Sequence, residues 1–314
     1  MRESEFEFAS HDEESTIHVW LWEPDDLSDA LPRGIVQIIH GASEYAARYR
    51  DFARFLTDAH IVVCADDHIG HGLSAVSEEK LGHLPASGGL KALIADEDSL
   101  RKGMVKRYDE AVPYIMFGHS MGSFILRSYI ARHGEGLAAA ILSGTGHQPA
   151  NLSSSGNMIA RIIARFKGAT YRSPLLHNMG MGALSKGMDN PRTPLDWLNT
   201  DADKVDEYLA DPHCGMVFTA GGYATLTELT GDIVKPKVAA NVPEDLPLLF
   251  ISGDADPVGE MGQSVNRAVQ MYKTAGVEHV DLQLYAGMRH EILNEPGHQD
   301  VYRDVLEWIE PVLL

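Results

Sequence analysis

The sequence predicts an α/β chain: a mostly parallel sheet of eight strands flanked by helices, interrupted by one long insertion. Three observations predict it. Short runs rich in Val, Ile and Leu alternate with helix-length segments. Most of those runs are apolar throughout, as strands buried on both faces must be. The alternation then fails over roughly residues 146–240 and resumes afterwards.

The elements follow in order. EFEFAS and IHVWLWEP have no helix between them and read as an antiparallel hairpin at one edge. GIVQIIHG (34–41) is a strand ending on glycine, and YRDFARFLTDAH (49–60) carries apolar residues at helical spacing. IVVCADD (61–67) is a second buried strand, with Cys64 expected in the core. From Leu90 to Ala111 the chain is helix-like, with Leu93, Ile94, Leu100 and Val105 on one stripe. YIMFGHS is strand, MGSFILRSYIARHG is helix closed by Gly134, and LAAAILSG (137–144) is strand. Beyond the insertion come LPLLFISG (246–253), a helix through 261–275, VDLQLYAG (280–287) and the helix VYRDVLEWIEPVLL. The expected division is therefore a core of 1–145 and 241–314, with 146–240 as a cap over the C-terminal edge of the sheet. That edge is where open α/β sheets bind ligands.

Composition narrows the function classes. A chain of 314 residues, 44% hydrophobic and 23% charged, is large and apolar enough for a substantial core. Lys and Arg number 26 against 45 Asp and Glu, a net charge of −19 that repels phosphate backbones, so no nucleic-acid partner is expected. Two cysteines exclude a disulfide scaffold and fit a reducing cytosol. The stretch MRESEFEFASHDEEST has no apolar h-region, and no apolar run reaches bilayer length, so a cytoplasmic chain is expected. There is no CxxC, HExxH or phosphate loop, so neither metal nor cofactor is expected. His68 and His71 in HIGHG sit among glycines and read as loop histidines without a carboxylate ligand set.

The chemistry centres on Gly118-His119-Ser120-Met121-Gly122, a G-x-S-x-G between strand and helix. A serine held at so sharp a turn exposes its Oγ. Side chains two positions to either side would collide, hence the glycines. The helix starting near Met121 directs free N–H groups at the same place. A serine hydroxyl needs a base, and in this fold an acid and then a histidine should follow. FISGDADP (250–257) ends one strand with Asp254 and Asp256, and LYAGMRHEI (284–292) ends the next with His290. His279 and His298 lie outside strand-end loops. A tetrahedral intermediate needs two donors, for which the N–H groups of Met121 and of Ala42, after the strand GIVQIIH, are the candidates.

HGASEYAARY (40–49), DDHIGHGLS (66–74), GHSMGS (118–123), SGDADPV (252–258) and GMRHE (287–291) together resemble the monoacylglycerol lipase and lysophospholipase branch of the α/β-hydrolases. The five ordered blocks span most of the chain outside the cap. The resemblance implies the α/β-hydrolase fold, Ser120 as nucleophile, His290 as base, Asp256 as the acid, and Ala42 and Met121 as oxyanion donors. It also implies that Glu44 and Arg48 help hold a glycerol head. The sequence departs from the family's HGAGEH at Ser43 and Tyr45, which bears on that head group.

The insertion suggests the substrate. Between Gly136 and Met188 there is no Asp or Glu, while Arg161, Arg165, Lys167, Arg172 and Lys186 are present. NMIARIIARFKG places Met158, Ile159, Ile162, Ile163 and Phe166 on one helical face. Packing on the cap, with the arginines solvated, is the commoner use of such a helix; transient contact with an anionic lipid surface is the other. Leu175, Leu176, Met179, Met181 and Leu184 suit an adaptable acyl tunnel or the cap's own small core. The expected activity is a serine hydrolase acting on carboxylic esters of single acyl chains. The alternatives are a proline-iminopeptidase-like amidase, for which Asp196, Asp201, Asp203, Asp206 and Glu207 offer carboxylates, and a low-turnover binding protein on the same scaffold.

Overall fold

The computed structural model describes residues 1–27 and 31–314. Its strands are β1 (Arg2–Ala9), β2 (Thr16–Glu23), β3 (Gly34–Ile39), β4 (Ile61–Asp67), β5 (Tyr114–His119), β6 (Ala139–Ser143), β7 (Leu248–Gly253) and β8 (Val280–Tyr285). They form one eight-stranded sheet in the order β1-β2-β4-β3-β5-β6-β7-β8. β1 pairs antiparallel with β2 and β2 with β4; every other pairing is parallel. The expected edge hairpin is therefore present. β1 lies at the sheet's edge with Glu3, Glu5 and Glu7 exposed, charges that discourage edge-to-edge pairing.

Alternate residues of each strand serve the two faces. On β3, Ile35 and Ile39 join one core with the helices α2 (Gly89–Tyr108), α3 (Met121–His133) and α9 (Gln263–Ala275). Val36 and Ile38 point the other way, toward α1 (Arg50–Asp58) and α10 (His298–Ile309). In the second core Phe52, Phe117 and Tyr302 form one aromatic cluster, with centroids 4.9 and 5.5 Å from Phe52. Each such aliphatic or aromatic side chain contributes about 2 kcal/mol by leaving water. Cys64 is fully buried in β4.

Between β6 and β7 the chain leaves the sheet and forms α4 (Ala150–Lys167), α5 (Pro174–Met179), α6 (Ala202–Ala210), α7 (Ala220–Asp232) and α8 (Pro236–Ala239). α4 packs along α7. The apolar face expected on α4 is divided: Ile159 and Ile163 pack inward, whereas Met158, Ile162 and Phe166 are exposed, Phe166 by 80%. One helical neighbour covers only part of so wide a stripe. No helix among the described residues is long and apolar enough to cross a membrane.

Candidate active site

The strand ends of β3, β5, β7 and β8 converge on one cavity of about 350 Å³. Ser120 lines it, at the junction of β5 and α3, with φ 53° and ψ −118°. A non-glycine residue adopts such a backbone only where its surroundings enforce it. Here the enforcement is steric. A Cβ on Gly118 would come within 2.5 Å of the Gly122 carbonyl oxygen, and one on Gly122 within 1.9 Å of the Ile39 carbonyl oxygen. α3 can therefore close directly onto β3 only because both flanking residues are glycine.

His290 lines the same cavity from the loop after β8. Its Nδ1 lies 2.9 Å from Asp256 Oδ2, and both side chains are buried. Asp256 also accepts the Val258 N–H through Oδ1 at 2.8 Å and the Ser252 hydroxyl through Oδ2 at 3.4 Å. Asp254 is exposed and accepts the Gly287 N–H at 2.7 Å, the role of a turn residue. Burial pulls the His290 pKa down, but the Asp256 carboxylate and its hydrogen bond outweigh this, and the net shift is upward. His119, whose ring centroid is 4.7 Å from that of His290, is pushed down to about 3 by burial and by His290, so it stays neutral. His279 is exposed, and His298 bonds the Glu295 carbonyl oxygen through Nδ1.

Ala42 and Met121 also line the cavity. The loop carrying Ala42 is pressed against the serine: a Cβ on Gly41 would sit 3.1 Å from Ser120 Cβ. Glu44 holds this loop. Its Oε1 accepts the Gly41 N–H at 2.6 Å and the Tyr49 hydroxyl at 2.8 Å, and its Oε2 accepts Arg48 Nη1 at 2.5 Å. Arg48 further forms a two-pronged pair with Glu291, at 2.6 and 2.8 Å, and lies 4.8 Å from the Tyr208 ring centroid. Burial opposes the Arg48 charge, but Glu291 and Glu44 outweigh it and raise its pKa. Glu44 reaches the cavity; Arg48 is not among the lining residues. Arg48 is thus held in an internal ion pair with Glu44 and Glu291.

Leu176, Met179, Met181 and Leu184 line the cavity as expected of a tunnel, joined by Phe124 and Leu226. Leu175 does not; it is 56% exposed. Trp197 escaped sequence reasoning. It is buried 5.0 Å from the His290 ring centroid, on an irregular stretch with no periodic signal. A more open depression of about 830 Å³ between α2 and α3 is lined by charges of both signs, such as Asp98 and Lys102, without a serine, threonine or cysteine in its lining.

His68 and His71 lie in the loop after β4, as read, but the expected absence of a carboxylate ligand set is corrected. Both are buried, and Asp66, His68 and Glu97 each bring a possible ligand atom within 4.8 Å of the others. Gly70 and Gly72, at φ 71° and 45°, turn the loop inward, and Glu97 arrives from α2. That convergence is invisible to spacing along the chain.

A mostly parallel sheet with a strained serine on the central strand–helix turn defines an α/β-hydrolase. A family profile described as "Serine aminopeptidase, S33" matches residues 30–297. Over 293 residues the chain is 30% identical to the monoacylglycerol lipase of Mycolicibacterium smegmatis, covering 92% of this chain and 91% of that one. The human monoglyceride lipase is 23% identical over 92% of this chain and 84% of its own. A thermostable carboxyl esterase from Bacillus coagulans, solved in complex with glycerol, superposes with a TM-score of 0.89 at 31% identity over 99% of both chains. The chain belongs to this α/β-hydrolase family, in its monoacylglycerol-lipase-like branch.

Proposed function

We propose that the protein hydrolyses carboxylic esters of single acyl chains, monoacylglycerols in particular, through an acyl-enzyme on Ser120. The observation that carries this reading is one cavity lined by a strained serine and by a buried histidine 2.9 Å from a buried carboxylate. Ser120 Oγ attacks the ester carbonyl carbon as its proton passes to His290 Nε2. Asp256 receives His290 Nδ1–H, which fixes the tautomer and stabilises the imidazolium. The carbonyl oxygen becomes an oxyanion facing the N–H groups of Ala42 and Met121. On collapse the bond to the alcohol oxygen breaks, and His290 returns the proton to the departing alcohol. Water then attacks the acyl-serine, giving its proton to His290. The second collapse breaks the bond to Ser120 Oγ, which regains that proton, and the fatty acid leaves.

Residues 146–240 act as the cap, and its apolar residues Leu176, Met179, Met181 and Leu184 accommodate the acyl chain. Glu44 and Arg48 act on the head group through the loop they brace. An aminopeptidase would need a free carboxylate for its substrate's amine. The carboxylates lining the cavity, Glu44 and Glu291, are already engaged by Arg48, and Asp196, Asp201, Asp203, Asp206 and Glu207 lie outside the lining. A turnover panel tests the reading: monoacylglycerols of several lengths, lysophosphatidylcholine, nitrophenyl esters and prolyl amides, with Ser120→Ala as blank. Preference for monoacylglycerols is expected. Turnover confined to prolyl amides, or none with Ser120 still labelled by a fluorophosphonate, would overturn it.

The exposed Leu152, Met158, Ile162 and Phe166, beside Arg165 and Lys167, support transient contact of α4 with an anionic lipid surface. Arg161 is paired with Glu228 at 2.9 Å, which leaves Arg165 and Lys167 the freer charges. Arg161→Glu/Arg165→Glu is expected to weaken binding to anionic vesicles; unchanged binding in a liposome sedimentation assay would refute the contact.

A further inference from the structure

The reaction as written leaves the three buried histidines His40, His68 and His71 without a task. His40 directly follows β3, at the start of the loop that carries Ala42. The backbone N–H of His68 donates to His40 Nε2 at 3.0 Å. A ring nitrogen that accepts a hydrogen bond carries no proton, so the proton of neutral His40 resides on Nδ1. Nδ1 lies 2.7 Å from the Gly41 carbonyl oxygen and donates to it. Burial, reinforced by His68 and His71, holds the His40 pKa well below its ordinary value, consistent with a neutral ring.

The Gly41 carbonyl and the Ala42 N–H belong to a single planar peptide unit. In a trans peptide they point in opposite directions, so holding the carbonyl inward holds the N–H outward, and among the described residues no cis peptide is present. We propose that His40 is a positioning residue of the oxyanion hole. Its Nδ1–H fixes the Gly41–Ala42 peptide with the Ala42 N–H toward the reacting carbonyl, and His68, Asp66 and Glu97 lock the His40 ring. The inference rests on Ala42 serving as an oxyanion donor.

The lock is a buried chain of bonds. The His68 ring stacks on that of His40, with centroids 3.8 Å apart and planes 19° apart. His68 Nδ1 faces Asp66 Oδ2 at 3.1 Å and its Nε2 faces the His40 carbonyl oxygen at 3.2 Å. Both partners are acceptors, so a protonated nitrogen on either side of the His68 ring finds one. Burial lowers its pKa, the Asp66 carboxylate more than restores it, and the net shift is upward. Glu97 accepts Gln37 Nε2 at 2.6 Å, and burial together with Asp66 raises its pKa well above the carboxylate range. Asp66 Oδ1 and Glu97 Oε1 are each buried without a partner. On the far side, Gln37 Oε1 accepts the Tyr114 hydroxyl at 2.5 Å, which anchors the chain in β5.

The test compares His40→Leu with His40→Asn, whose amide nitrogen can replace Nδ1 as donor to Gly41. The probes are 4-nitrophenyl butyrate and a trifluoromethyl ketone of matched length, whose carbonyl carbon bonds Ser120 Oγ and whose oxygen becomes an oxyanion. His40→Leu should lower kcat by about 10²–10³-fold, the usual effect of losing one oxyanion donor. KM should stay nearly constant, and the ketone's inhibition constant should rise by the same factor as kcat falls. His40→Asn should recover at least about tenfold of both. In variants that melt cooperatively, a loss of kcat without a matching loss of ketone affinity, or no advantage of Asn over Leu, would overturn the proposal. Should His40→Leu fail to fold, ¹⁵N NMR of the wild-type side chain decides: a neutral Nδ1–H tautomer is expected at neutral pH, and an Nε2–H or charged ring would overturn it. Ser120→Ala and Ala42→Pro separate this idea from the one beneath it. If either retains turnover, the active-site reading fails; if both are inert while His40→Leu is fully active, only the role of His40 fails.

Discussion

Asp256→Asn replaces one oxygen of a carboxylate that is fully buried and faces His290 Nδ1 at 2.9 Å. The substitution is nearly isosteric, and the Val258 N–H at 2.8 Å still finds the remaining oxygen. That bond keeps the amide oxygen in place and turns the NH₂ toward His290 Nδ1. An NH₂ there demands an acceptor, so Nδ1 loses its proton and Nε2 gains one. His290 can then no longer receive the Ser120 proton. A wrong tautomer in such a triad lowers kcat by about 10⁴-fold, or about 5 kcal/mol of barrier. Asp254→Asn leaves an amide oxygen to accept the Gly287 N–H at an exposed turn, and surface changes of that kind stay within about 0.5 kcal/mol, hence about 2-fold. Steady-state kcat for 4-nitrophenyl butyrate should therefore separate the two variants by more than about 10³-fold, while their melting temperatures remain close. Equal losses, or a larger loss for Asp254→Asn, would refute the assignment of Asp256 as the histidine's partner.

Because Asp256 raises the His290 pKa on balance, the acid limb of kcat/KM should fall above the ordinary histidine value near about 6.5; a rate flat from pH 5 to 8 would contradict a histidine base. Asp96, buried and bonded to Ser10 and the His11 N–H, is pushed up to about 6 chiefly by burial. A carboxyl raised on folding stabilises the protein fully below its unfolded pKa and loses that contribution as pH rises through the folded value, so wild type should lose up to about 3 kcal/mol at this site between pH 4 and 8. Urea titrations of wild type and Asp96→Asn should show the variant with the weaker decline; parallel curves would exclude Asp96 as a source. Gly103 is exposed within α2, and a Cβ there meets nothing within 4 Å. Gly103→Ala should stabilise the protein by about 0.5–1 kcal/mol in the same titration; destabilisation would mean that α2 is not helical there in solution.

What the sequence conveys about this protein follows from how local each constraint is. The central strands were legible because each is buried along its length: β3, β4, β5 and β6 carry no exposed residue. Ser120 was legible because the collisions that exclude side chains at Gly118 and Gly122 arise within one turn and the neighbouring strand. The choice between Asp254 and Asp256 was not legible from residues alone, because both end the same strand and only the direction of the turn separates them. α4 was half legible: its period is helical, but which part of its apolar stripe is covered depends on α7, some sixty residues further along. The buried network around His40 was not legible at all. Its members come from β3, β4, α2 and β5, and glycines that look like loop punctuation are what turn His68 and His71 inward. The same physics explains the misreading and the structure. Asp66 and Glu97 wait beneath His68, 3.1 and 3.5 Å from its Nδ1, and the Ile69 carbonyl oxygen lies 3.0 Å from His71 Nδ1. A buried ring nitrogen without such partners would be costly to keep, so the carboxylates are the reason His68 can stand behind the loop that faces Ser120.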